Sequence, residues 1–413
     1  MTGTAMEESQ LILHVGLPKG GSSALQTALS QTPELTSGTG RQLRYTALRQ
    51  AGGQQTLLQG RALSLAARRS AYGYATWPNI RPGDADSPVF DWLPKVVEAG
   101  RRDGTVPIAS CEGWVNQPDL FAAHLQRWGN PRVEVVAFLR PPVDWMNASY
   151  WQWGIWNVPS LDLWLRRGNL PYNFGLDLER WAQIPNLRLR LAGARPDVVQ
   201  KFSALYDVNL PGASSSNSSS PPALIGFLLR NREFRPSGHD ASSEFVVQRW
   251  CPPVPGRKLW AVQAAHVWAL RQAVARNRAA LQRIAAAEEL EDILSDARWQ
   301  DERLYHSEIR LGPSVLDDRA EMAALHDALC EGATRACVAA GLKVPDWPGC
   351  PSAAADLEQW DATLRKPMEA LLAADRNLRQ SQGASFGAAL GQRLGVRLGR
   401  GVRGALPRIF RGA

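Results

Sequence analysis

The chain has 413 residues, 45% of them hydrophobic and 21% charged, which suffices for at least one full-sized core and excludes a fibrous or mainly disordered protein. Lys and Arg number 47 against 39 Asp and Glu, a formal charge of +8, and a basic balance of that size points to an anionic partner. Residues 383–413 hold six arginines and no Lys, Asp or Glu, leaving only +2 on the rest of the chain, which argues against a nucleic-acid-gripping surface built from many distributed phosphate contacts.

The first ten residues, MTGTAMEESQ, carry two Glu and no basic residue, so they do not read as a signal peptide. Leu11-Ile12-Leu13-His14-Val15 reads as a buried strand, Gly16 to Ser23 as a glycine-rich loop and Ala24 to Leu29 as the helix that follows. Two further apolar strands are predicted over 106–110, ending at Cys111-Glu112, and over 133–139, ending at Arg140-Pro141-Pro142. Residues 121–128 between them read as helix, as a parallel crossover requires. After Pro142, Asp144 is placed to cap a helix. Residues 212–222 form a low-complexity polar loop, and helical periodicity returns at Ala223–Leu229, 260–294, 319–338 and 353–382. The expected fold class is α/β, a central, mainly parallel sheet with flanking helices and a helix-rich second half. Domain 1–345 would carry this α/β unit, 346–382 a helical extension and 383–413 a basic Gly/Arg tail without fixed structure.

Five widely spaced cysteines lack a CxxC pair or a histidine at metal-ligand spacing, so they read as free, mostly buried thiols in a reducing compartment. No run approaches the roughly 20 apolar residues that span a bilayer. A cytoplasmic chain is expected. Leu390, Leu394 and Leu398 with interleaved arginines give the tail a second reading, an amphipathic helix in peripheral contact with the inner membrane face.

The loop after the first strand concentrates the chemistry. Gly16, Gly20 and Gly21 let backbone amides approach an anion, Ser22 and Ser23 add hydroxyls, and Lys19 adds a mobile charge at a helix N-terminus. A standard ATP or GTP loop places Lys directly after its last Gly; here Gly21 is followed by Ser22, and Lys19 lies two residues earlier. Arg140, at the carboxyl edge of the third strand, suits a second phosphate through paired hydrogen bonds.

The segments HVGLPKGGSSALQ (His14 to Gln26) and FLRPPVDWMNASYWQ (Phe138 to Gln152), in this order, resemble the two nucleotide-binding motifs of sulfotransferases that use 3'-phosphoadenosine 5'-phosphosulfate (PAPS), in particular the bacterial, polysaccharide-type branch. Pro222–Arg232 is similar to a helical stretch of the same branch, so the resemblance covers roughly residues 10–345. It implies a P-loop-like fold, PAPS as sulfuryl donor, no metal requirement and a carbohydrate or glycolipid acceptor. By the same resemblance, Pro18, Lys19, Gly20, Gly21, Ser22 and Ser23 would hold the 5'-phosphosulfate, and Arg140 with Ser149 the 3'-phosphate.

Two positions depart from the family pattern: Gly20 stands where threonine is usual, and the serine expected eight residues after the arginine is Ala148, with Ser149 one residue later. On a helix that offset turns the side chain by about 100°, so Ser149, or Asn147 in its place, would have to reach the phosphate. Sulfuryl transfer needs a base for the acceptor hydroxyl and a cation at the leaving oxygen. Lys19 fits the cation and Glu112 the base, with His124 as the alternative base and His14 read as structural. The tryptophans clustered over 145–164 suit either sugar stacking or core filling. A nucleotide kinase with an unusual phosphate loop and an inactive nucleotide- or glycan-binding protein of the same fold are the competing readings.

Overall fold

The computed structural model describes residues 9–51, 53–167, 171–211, 220–310 and 314–401, with side chains as far as 381. Its seven strands are β1 (Leu11–Gly16), β2 (Glu34–Thr36), β3 (Gln42–Ala51), β4 (Gln54–Gln59), β5 (Thr105–Ser110), β6 (Val133–Leu139) and β7 (Leu187–Gly193). They form one sheet in the order β2-β3-β5-β1-β6-β7, with β4 also paired to β3. The pairs β3–β5, β5–β1, β1–β6 and β6–β7 are parallel, whereas β2 and β4 run antiparallel to β3. The result is an α/β fold on a mixed, mostly parallel sheet.

Strands β1 and β6 are buried at every residue, because each has a strand on both edges and helices on both faces. Their side chains alternate between two cores. Leu11, Leu13, Val15, Val135 and Leu139 enter one, with Trp114, Phe121 and Trp181. Ile12, Val136 and Phe138 enter the other, with Leu25, Leu29 and Phe202.

The helices are α1 (Ser22–Gln31), α2 (Gly60–Arg69), α3 (Pro88–Asp103), α4 (Pro118–Arg127), α5 (Pro142–Ser149), α6 (Leu161–Arg166), α7 (Phe174–Ala182) and α8 (Val198–Tyr206). The second half adds α9 (Pro222–Arg230), α10 (Ser242–Trp250), α11 (Ala264–Ile284), α12 (Ala287–Leu294), α13 (Arg303–Ile309), α14 (Arg319–Ala339) and α15 (Leu357–Gly401). The helix expected over 260–294 is thus two, divided where Ala285 and Ala286 take extended backbone angles. The helix expected over 353–382 continues to Gly401, and 402–413 lie outside the described residues, as do 212–219 of the polar loop. Through Trp360, Leu364, Met368 and Leu371, α15 enters a third core shared with α9, α10 and α14.

The five cysteines are free, with Cys111 and Cys337 buried and Cys350 exposed. Among the described residues no helix is long and apolar enough to cross a membrane.

Candidate functional site

The chain leaves β1 through a tightly held loop. Lys19 (φ 60°) and Gly21 (φ 95°) are both left-handed, and Gly21 precedes the first turn of α1. The amide of Gly20 donates to the Leu17 carbonyl at 2.9 Å and that of Leu17 to the Phe138 carbonyl at 3.3 Å, while the Trp145 indole donates to the Pro18 carbonyl at 2.7 Å. A Cβ on residue 20 would lie 2.6 Å from the Phe138 carbonyl oxygen. Glycine at position 20 is therefore demanded by this backbone, which has no room for any side chain there. The amides of Ser22 and Ser23, in the first turn of α1, have no carbonyl within the helix to bond, the usual condition for anion binding at a helix start.

Two carboxylates act on Lys19. Its Nζ donates to Gln152 Oε1 at 2.9 Å, on the π-helical turn Tyr150–Gly154 that continues α5. Burial pushes the Lys19 ammonium below its ordinary range, while Glu112 and Glu244 pull it back up. Glu112, just past β5, is pushed up by burial against the pull of Lys19. Glu244 on α10 is likewise pushed up by burial, opposed first by Arg235. That arginine is fully buried in an ion pair with Glu244, whose other oxygen accepts from Ser220 Oγ at 2.9 Å.

A second centre adjoins the first, because Arg140 Nη1 donates to the Lys19 carbonyl at 2.8 Å. Asp144 does not cap α5. Its side chain, 1% exposed, instead gathers cations on Oδ1: Arg195 and Arg298 at 2.9 Å, Lys258 at 3.8 Å and Arg140 at 3.9 Å. Oδ2 accepts the Tyr305 hydroxyl at 2.6 Å. Burial alone would raise the Asp144 carboxyl, but Arg140, Arg195, Tyr305 and Lys258 together hold it below its ordinary range. Asp296, on Arg195, and Glu308, on Lys258 and Arg298, complete the cluster, so four cations face three carboxylates.

Lys19, Gly20, Gly21, Ser22, Ser23, Glu112 and Arg140 all line one cleft of about 610 Å³, and the structure brings Arg195, Lys258, Gln152 and Glu244 to the same walls. Pro18 is not in the wall; its part is to fix the loop through its carbonyl. Ser149 is not brought to the cleft. Its hydroxyl is buried and donates to the Met146 carbonyl at 2.9 Å, while Ala148 occupies the lining position. Asn147 does reach the wall, yet its amide is committed to the Leu259 carbonyl at 2.7 Å and the Ala261 amide at 2.9 Å. Arg195 and Lys258, which the sequence did not mark, line the same cleft as Ala148. No family model, curated protein or solved structure matches this chain.

Neither histidine candidate is in the cleft. His14 is buried between β1 and β5, its Nδ1 2.7 Å from Ser110 Oγ, and burial lowers it to about 4. His124 stacks on Phe90 near the surface. Of the clustered tryptophans, Trp145 is core, whereas Trp151 and Trp153 contribute to the cleft wall. The cleft therefore combines a loop fit for one anion, an ammonium held by Gln152, a carboxylate biased toward protonation and a separate pole for a second anion.

Proposed function

We propose that this chain transfers a sulfuryl group from PAPS to a hydroxyl of a carbohydrate or glycolipid acceptor, on a P-loop-like sulfotransferase fold. One observation carries the reading: the Lys19 loop and the Arg140–Arg195–Lys258 cluster are two anion-seeking centres on one cleft, joined by the Arg140 bond to the Lys19 carbonyl. A nucleotide with phosphate groups at both its 5' and 3' ends needs two such centres, whereas ATP carries its charge in one chain. The order of the parallel strands supports the same fold, since β1 sits between β5 and β6 and its carboxyl end opens at the crevice where ligands of such sheets bind.

In the reaction, the Glu112 carboxylate accepts the proton of the acceptor hydroxyl as that oxygen attacks sulfur. The bond from sulfur to the bridging phosphate oxygen breaks, and the Lys19 ammonium stabilises the charge left on that oxygen. Rate should therefore rise with pH as Glu112 loses its proton, above the ordinary glutamate range, and fall as Lys19 loses its own, below the ordinary lysine range. The expected pH–rate profile is a bell narrower than unperturbed groups would give. Glu112→Gln should remove the acid limb and slow transfer by roughly 10²- to 10⁴-fold; an unchanged acid limb would remove Glu112 from this role.

Calorimetric titration tests the reading directly. The wild-type chain should bind 3'-phosphoadenosine 5'-phosphate in preference to ATP, and no binding by the folded protein rejects the proposal. Arg140→Ala should weaken the bisphosphate by roughly 10- to 100-fold, the worth of a charge-assisted hydrogen-bond pair, and adenosine 5'-phosphosulfate far less. Equal losses for both ligands would take Arg140 out of the 3' centre.

A further inference from the structure

The cleft is electrically lopsided about Lys19. Its lining residues include four Lys or Arg side chains, and three of them, Arg140, Arg195 and Lys258, gather around Asp144 on one side. A second group of lining residues is aromatic and acidic. Tyr72, Tyr74 and Phe245 form a mutual cluster with ring centroids 5.2 to 6.1 Å apart, and all three are half-buried and line the cleft. Tyr74 lines the cleft together with Ser23 and Glu112, and the charge of Glu112 acts on its hydroxyl, which places this wall beside the reacting end of the loop. Glu244 belongs to the same side, one residue before Phe245, with its charge met by the buried Arg235.

The wall is also braced from behind. Arg249 donates to the Ala71 carbonyl at 2.7 Å and Arg379 to the Arg69 carbonyl at 2.8 Å, and both arginines are held by the buried Asp375. Helices α10 and α15 thereby fix the segment that carries Tyr72 and Tyr74. Ordered aromatic rings of this kind present flat faces to the C–H face of a sugar ring and hydroxyls to its polar rim. Burial keeps both tyrosine hydroxyls protonated.

We propose that this aromatic side is the acceptor subsite and that its charge pattern selects an uncharged sugar ring over a uronic-acid or already sulfated one. The inference rests on the sulfuryl-transfer reading and adds the class of acceptor. An anionic ring seated there would face the Glu112 carboxylate and a Glu244 whose one cation, the buried Arg235, is already taken, and among the described lining residues Lys19 is the one Lys or Arg outside the group around Asp144. Unpaired like charges at an interface reject a ligand more sharply than a missing contact does.

The test titrates the full chain at pH 8, with and without 3'-phosphoadenosine 5'-phosphate, with cellohexaose, maltohexaose and chitohexaose as neutral probes and hyaluronan hexasaccharide as the anionic one. At least one neutral probe should bind about tenfold or more tightly than hyaluronan, since unpaired charge costs affinity, and Phe245→Ala or Tyr72→Ala should weaken that probe while the bisphosphate affinity stays unchanged. Hyaluronan binding as tightly as the best neutral probe, no binding of any neutral probe, or neutral binding unaffected by both variants would overturn the inference. The wild-type comparison stands even if a variant fails to fold. Absence of bisphosphate binding would instead sink the sulfuryl-transfer reading, so the two failures are separable.

Discussion

Lys19→Ala is expected to reduce sulfuryl transfer by about 10²- to 10³-fold or more, the usual loss when a preorganised charge at a developing anion is removed, while the protein stays folded. The fold should survive because the Lys19 side chain has one hydrogen bond among the described residues, to Gln152, and is half-buried on the cleft wall, where water can enter the space it leaves. Its left-handed backbone costs alanine no more than it costs lysine, so the substitution adds no strain. The loop's anchors are backbone atoms, the carbonyls of Leu17, Pro18 and Lys19, and the substitution leaves all three in place. Arg140, Arg195 and Lys258 cannot stand in for the ammonium, because each is held toward Asp144. Single-turnover sulfate transfer, with thermal melting as the folding control, checks the prediction, and wild-type turnover in the variant would refute the role. Lys19→Arg should not rescue it, since a planar fork does not replace a compact ammonium held by Gln152.

The three strands that could be read in advance, β1, β5 and β6, are those buried along nearly their whole length, where the apolar run is continuous. The β3–β4 hairpin is not legible because its sequence hides its burial. Thr46 is buried but polar, its hydroxyl donating to the Ile108 carbonyl at 3.1 Å, and β4 opens with two exposed glutamines and a threonine. Strand β7, LRLRLAG, alternates as a strand should, yet the arginines make it look like an exposed segment. The break between α11 and α12 falls on two alanines, which carry no stop signal.

The candidate site divides the same way. Its loop is contiguous in sequence, so Lys19, Gly20, Gly21, Ser22 and Ser23 could be found from spacing, and Glu112 and Arg140 from their places at strand ends. Glu244, Arg195 and Lys258 come from distant segments that packing brings together, and no local pattern marks them. Gln152 was within reach, at the last position of the second motif, where its side chain meets Lys19. Ser149 shows the limit of counting along a motif: one residue of offset on α5 turns its hydroxyl into the helix and gives the wall position to Ala148.

Asp144→Ala should be the most damaging change to stability, costing about 3–5 kcal/mol, the range for breaking a buried ion pair by deleting one partner. Four cations lie within 4 Å of this one carboxylate, and the deletion leaves them to face each other with only Asp296 and Glu308 for compensation. The Tyr305 hydroxyl loses its acceptor at the same time. The folded-state pKa of Asp144 is depressed, so its contribution is fully present above the unfolded aspartate pKa and is lost as pH falls through the lower folded value. The difference in melting temperature between wild type and variant should therefore be full at neutral pH and shrink only in strong acid. An anion bound at the cluster would replace the missing charge. Added 3'-phosphoadenosine 5'-phosphate should then raise the melting temperature of the variant by more than it raises that of the wild type, because the ligand supplies to Arg140, Arg195 and Lys258 what Asp144 supplied. Equal stabilisation of both proteins by the bisphosphate would mean that these side chains do not form the second anion centre, even if the loss of stability itself is observed.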